Sequence, residues 1–264
     1  MFYWIYDIPT WTVAALFAVT FVGLSWFGAI FICPLLRLFF REQAGWNDIV
    51  GYFLSFFSVI YGLLLGLLAV ATYQNLSDVD KTVALEATAL ASLYRDVSSY
   101  PEPNRTELHD LLREYTRYVI EEAWPLQRKG IVPVGGINRI TAFQARLTSF
   151  EPQTKGQAAL HTEALRQYNN LLEHRRMRLY SVETSIPPFI WYTVVVGALI
   201  NMFLVWMFDI GFSAHLVLGG LIAFFTSTMF CLIAIMDNPY RGEFSVSPEA
   251  FQLIYDGLMK KPAI

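Results

Sequence analysis

The side chains of this chain that could do covalent chemistry are few and scattered. Its four histidines are His109, His161, His174 and His215, and no two of them stand at i+3 or i+4, the spacing that would place both on one helix face as metal ligands. No nucleophile elbow, phosphate loop or Cys-x-x-Cys occurs, so acyl transfer, phosphoryl transfer and dithiol exchange have no signature here. His109, His161 and His174 lie on charged, helix-patterned stretches and read as solvated or as making ordinary helix contacts. His215, at the mouth of the last apolar run, reads as a turn histidine, with a gate or proton site as the alternative. Glu121 and Glu122 are adjacent, so they point to different sides of a helix and cannot act as a facing acid pair; one of them could meet a neighbouring subunit. Cys33 and Cys231 both sit inside apolar runs, without a His or Cys at ligand spacing, and read as small helix-facing residues. The expectation is no catalytic residue, no metal site and no enzyme, with a membrane-embedded enzyme only as a third reading.

What remains is non-covalent chemistry, and it concentrates in IVGYFLSFFSVIYGLLLGLLAV. Ile49, Phe53, Phe57 and Tyr61 follow at i+4, and Leu64 continues the line. Several copies of such a helix around an axis would stack apolar and aromatic rings into a constriction that gates by dewetting. The positive edges of phenyl rings suit anions better than bare cations. Gly62 and Gly66 form a small-xxx-small step that permits close helix approach. The other reading of the same pattern is bulk facing lipid beside a packing groove.

A line of residues like this needs a membrane, and the composition supplies one. Of 264 residues, 55% are hydrophobic and only 16% charged, with a mean hydropathy of +0.41, which points to an integral membrane protein. The net charge of −3 without a basic patch excludes nucleic acid as a partner. The N-terminal MFYWIYDIPT has no Lys or Arg, and the run after it is too long for a signal peptide core, so a retained span is expected. Four stretches reach the roughly 20 residues a bilayer requires: 11–36, with a kink expected at Cys33-Pro34 and an end at Arg37, then 49–71, 187–208 and 214–236. Asn201 is the one amide deep in a span and calls for a partner on a neighbouring helix.

Residues 72–186 hold 14 basic and 14 acidic side chains, a soluble composition with helical periodicity. Val79, Val83, Leu85 or Glu86, Leu90, Leu93 and Val97 share one side of a helix that can simply continue the second span. Asn104 and Glu107 form a capping box ahead of the stripe Leu108, Leu111, Leu112, Tyr115, Tyr118 and Val119. A loop follows at 130–136, then helices at 138–150 and 155–184. After the last span, Asp237-Asn238-Pro239 stops the helix, and Ser247-Pro248-Glu249 starts a short one with Phe251, Ile254, Tyr255 and Leu258 on one face. The organisation is therefore membrane domain 1–71, helical soluble domain 72–186, membrane domain 187–236, and a C-terminal clasp with amphipathic helix at 237–264. Lys81, Arg175, Arg176, Arg178, Arg241, Lys260 and Lys261 lie on the side of the soluble domain and both termini, against Arg37 and Arg41 opposite. The positive-inside rule puts that side in the cytoplasm of a cell membrane, the inner one in a bacterium.

Three segments, EATALASLYRDVSSYP (86–101), REYTRYVIEEAWP (113–125) and DNPYRGEFSVSPEAF (237–251), together with the four-span layout, resemble the bestrophin-like membrane family over most of the chain. More distantly, the layout is similar to true bestrophins. That resemblance implies an all-α, oligomeric, calcium-linked anion channel, its neck made by an apolar residue and two phenylalanines four apart on the second span. Ile49, Phe53 and Phe57 stand at that spacing. It also implies an acidic clasp after the spans, where calcium binds. Asp237, Asn238 and Glu243 occupy that place, but two acids depart from the six or more oxygens a calcium site takes. The leading expectation is thus a bestrophin-like homo-oligomer of four or five copies in the lipid bilayer, passing inorganic anions, with no cofactor other than a candidate calcium. The alternative is a non-conducting membrane scaffold or sensor that binds a partner through its helical domain.

Overall fold

No proline falls between residues 46 and 97, and the chain runs through all of them as one α-helix. A computed structural model describes residues 3–40 and 45–260, so Arg41 and Lys261, used in the charge comparison, lie outside the described residues. After a short 3-10 turn, Tyr3–Asp7, the elements are α1 (Thr10–Phe40), α2 (Trp46–Val97), α3 (Asn104–Tyr118), α4 (Trp124–Gln127), α5 (Gly136–Thr148), α6 (Lys155–Tyr180), α7 (Pro188–Trp206), α8 (Phe212–Met236) and α9 (Glu249–Ile254). Single π-helical turns join α3 to α4 and extend α9. No strand occurs among the described residues. The protein is an all-α integral membrane protein, with α1, α7, α8 and part of α2 long and apolar enough to cross a bilayer. α1 carries Pro34 inside it and continues past the expected end at Arg37 to Phe40.

Two compact units emerge. The membrane unit comprises 1–74 and 185–237. In it α1 packs along α8, where small residues let the backbones close up: a Cβ on Gly219 would stand 2.9 Å from Ser25 Oγ. Indole N–H groups tie α1 to both neighbours, with Trp26 Nε1 donating to Leu216 O of α8 at 3.0 Å and Trp206 Nε1 of α7 donating to Ser25 O at 3.1 Å. His215 is buried, with Nε2 2.9 Å from Val205 O and 3.3 Å from Cys33 Sγ. It fastens the α7–α8 turn to α1, which agrees with the turn-histidine reading. Asn201 finds its interhelical partner, Ser58 Oγ, at 3.4 Å.

The helical unit comprises 75–184 and 238–264. Its core combines two expected stripes, Leu90, Leu93 and Val97 of α2 and Leu108, Leu112 and Tyr115 of α3, with Phe143 and Leu147 of α5 and Leu171 of α6. The tail folds back onto this core through Tyr240, Phe251 and Met259. One local expectation fails. Asn104 opens α3 as its first residue and makes no cap; Glu102, two residues earlier, accepts from Thr106 N at 3.2 Å and Thr106 Oγ1 at 2.8 Å. Glu107 instead pairs with Arg146 at 2.5 Å.

His109 makes a helix contact: it is buried, stacked on Tyr94 at 4.0 Å between centroids, with Nε2 3.0 Å from Tyr94 O. Burial lowers its pKa, and His161, bonded through Nδ1 to the Tyr100 hydroxyl at 2.7 Å, is lowered for the same reason. The unfolded chain takes up these protons at the ordinary histidine value of about 6.5, whereas the folded chain does so only at lower pH. Their contribution to stability is therefore complete above that value and lost as pH falls through it. The expected result is a thermal midpoint that drops between pH 7 and pH 5.5, with a shallower slope in His109→Gln. An identical slope in the variant removes His109 from the account.

Candidate functional site

α2 is the least shielded of the four candidate spans. Its start is pinned to the α7–α8 turn by a cluster of polar contacts. Trp46 Nε1 donates to Met207 O at 2.9 Å, Asn47 Nδ2 donates to Asp209 O at 2.9 Å, and Asp209 N donates back to Asn47 Oδ1 at 2.8 Å. Arg37 pairs with the Asp209 carboxylate at 3.2 Å and donates to Ile210 O. Further along, the Tyr61 hydroxyl donates to Val194 O at 2.9 Å, with its ring lying against Gly197, where a Cβ would collide with it.

The predicted line of residues divides. Ile49 and Phe53 are exposed, Phe53 at 64%. Phe57 and Leu64 are half-buried against the membrane core, and Tyr61 is only 4% exposed. Tyr61, expected to continue the line beyond the constriction, lies in the α2–α7 contact. The reason is geometric. A step of four residues overshoots one helical turn by about 40°, so three steps carry Tyr61 about 120° around from Ile49. The residues that stay on one exposed line are Ile49, Phe53, Phe56, Ile60, Leu63 and Leu67, alternating steps of four and three. That is the 3.5-residue seam by which helices pack around a common axis. A Cβ on Gly62 or Gly66 would meet nothing within 4 Å, so the small-residue step is not used inside the protomer.

In the helical unit the three segments singled out in the sequence converge on one ion pair. Glu86, from the first, is 0% exposed, whereas Leu85 is open to solvent; the ambiguity between them resolves to the acid. Its carboxylate accepts from Arg178 Nε at 2.6 Å and Nη2 at 3.1 Å, and from the Tyr115 hydroxyl, of the second segment, at 2.8 Å. Trp124, also of the second, and Phe251, of the third, hold the guanidinium carbon 5.8 and 5.7 Å from their ring centroids. Tyr240, of the third, donates to Arg178 O at 3.3 Å. Burial pulls the Arg178 pKa down, but the charge of Glu86 and the hydrogen bonds to it more than offset this, so the guanidinium stays charged. Burial likewise pushes the Tyr115 phenol up, with the Glu86 charge adding to it, which keeps its hydroxyl a donor. Sequence reasoning misses this centre because Arg178 sits among Arg175 and Arg176 and counts there as one more membrane-proximal charge. The signal that could have found it is helical phase: Arg178 follows the buried Leu171 by two turns.

Asp237, in the membrane unit, is buried, and its two carboxylate oxygens accept from Ile186 N at 2.5 Å and Trp191 Nε1 at 3.4 Å. It thereby satisfies a backbone N–H ahead of α7. Asn238 and Glu243 belong to the helical unit, Asn238 half-buried and Glu243 exposed. Among the described residues, no three His, Cys, Asp or Glu side chains gather in metal-binding proximity.

The profile of the Bestrophin-like domain matches residues 16–251 of this chain. Its fold is similar to crystal structures of a bacterial bestrophin homologue from Klebsiella pneumoniae. A point variant of that protein gives a TM-score of 0.68 at 11% identity, covering 91% of this chain and 97% of the other. A zinc-phased structure gives 0.66 at 11% identity, covering 93% and 99%. No curated protein matches.

Proposed function

We propose, from the premise that this chain belongs to the Bestrophin-like domain family, that it is an oligomeric ion channel whose pore is lined by α2. The observation that carries the reading is the bare seam of α2, an apolar and aromatic line left uncovered on a helix that spans the membrane. Four or five copies around an axis would bring these seams together, with Ile49 and Phe53 at the constriction and Phe57 and Leu64 at its edge. The exposed side of Gly62 and Gly66 would admit a neighbouring helix closely. Selectivity for inorganic anions follows from two features. Aromatic edges present positive potential, and between Asp48 and Asp78 no carboxylate stands on α2 to make a cation-selecting ring.

The test is current through the purified protein in planar bilayers, with its copy number measured by native mass spectrometry in mild detergent. Phe53→Ala widens the neck and should raise unitary conductance, with Phe57→Ala doing so less, because that ring is already partly held in the protomer. Reversal potentials in a chloride gradient report the sign of the carried ion. A silent bilayer from an intact oligomer, or currents indifferent to both substitutions, would remove the pore assignment and transfer the function to the scaffold reading. Lys81, Arg176, Arg241 and Lys260 favour a cytoplasmic helical unit by the positive-inside rule, and an external signal from a reporter fused after residue 150 would reverse that orientation.

A further inference from the structure

The 3-10 turn, α1, α7 and α8 enclose a cavity of about 280 Å³. All its lining belongs to the membrane unit, and none of it comes from α2. Trp191, Ala198 and Phe230 are buried wall residues, whereas Trp4 and Leu199 are exposed and bring the space to the protein surface. The polar atoms nearest to it are already engaged. The Thr20 hydroxyl donates to Leu16 O of its own helix at 2.7 Å, and Trp191 Nε1 points to Asp237. An occupant therefore meets hydrocarbon and ring carbon only.

Water does not stabilise such a space, since an apolar cavity of roughly 150 Å³ already stays dry and takes up benzene instead. Left void, its walls would lose their dispersion partners. Under the proposed function subunits meet along the α2 seam, and α2 contributes no wall to this space. The medium around these helices is the bilayer, whose abundant slender apolar component is the acyl chain.

We propose that this cavity binds one acyl chain of a membrane phospholipid, seated between α1, α7 and α8. Seated there, the chain completes the packing of α1 against α7, and the proposal does not depend on conduction.

Trp191 makes the site readable, because it lies on the cavity wall yet is only 6% exposed and so is shielded from bulk lipid. The full chain is reconstituted into phosphatidylcholine brominated at mid-chain, and tryptophan fluorescence is compared between wild type and Trp191→Phe. The expected result is a quenched component in wild type that Trp191→Phe lacks. Ala198→Phe, which fills the cavity, should abolish it. Leu199→Phe, at the exposed side, narrows access without adding an indole or disturbing the buried wall and keeps the test alive if Ala198→Phe fails to fold. Mass spectrometry after detergent delipidation should find a phospholipid retained by wild type and lost from both variants. Equal phospholipid retention in all three proteins, retention of free fatty acid alone, or a Trp191 component blind to bromine would overturn the proposal.

Discussion

Arg178→Met should lower the stability of the helical unit by about 3–5 kcal/mol, the cost of leaving one partner of a buried ion pair charged and alone. Glu86 would keep its place in the core with the Tyr115 hydroxyl as its remaining donor. Trp124 and Phe251, which flank the guanidinium, are uncharged and cannot replace it. Arg178→Lys should recover little, because an ammonium cannot make the fork of two N–H groups onto one carboxylate while lying between two rings. The informative partner is the triple variant Glu86→Leu, Tyr115→Phe, Arg178→Met. It removes the charge, its counter-charge and the hydroxyl that would otherwise lose its acceptor. Replacing a buried pair by apolar groups of similar volume is often neutral or stabilising, so the triple variant should melt near wild type. Thermal unfolding followed by tryptophan fluorescence in detergent measures all three. If Arg178→Met melts with wild type, the pair does not hold the three segments together.

Tyr61→Ala and Phe53→Ala, two residues eight apart on the same helix, should separate packing from lining. Tyr61 fills the space over Gly197 and donates to Val194 O, so its removal opens a void between α2 and α7. The expected loss is on the order of 3 kcal/mol, the lower end for large-to-small core changes, since lipid surrounds the ring with apolar matter even when the helices separate. Phe53 touches little in its own protomer, and its truncation should alter folding of the protomer by less than about 0.5 kcal/mol while changing conductance. Equal losses of stability at both positions would restore Tyr61 to the same face as Phe53. Gly197→Leu offers a converse check: it drives a side chain into the Tyr61 ring and should disrupt the same contact without touching the seam.

Much of the architecture was legible in the residues. Hydropathy marked the four spans, and helical periodicity marked the faces of α2, α3 and α9 that turn inward. Those signals are local, because they depend only on how many apolar residues recur at one angle of a helix. The site was less legible. The phase of an i+4 line drifts as it climbs, so Ile49 and Tyr61 looked alike in sequence and part company in space. A titratable side chain such as His109 or Arg178 carries no mark of its eventual environment, since the Tyr94 ring and the Glu86 carboxylate that receive them lie 15 and 92 residues away.

By itself, then, the sequence determined that this is a helical membrane protein with an apolar, aromatic second span and a charged helical insert. Only the tertiary structure decided which residues of that span remain uncovered, and that Glu86, Tyr115, Trp124, Arg178, Tyr240 and Phe251 form one centre. The reason is that hydropathy and period are summed along the chain, whereas exposure and charge pairing are set by whatever another segment brings to the same place.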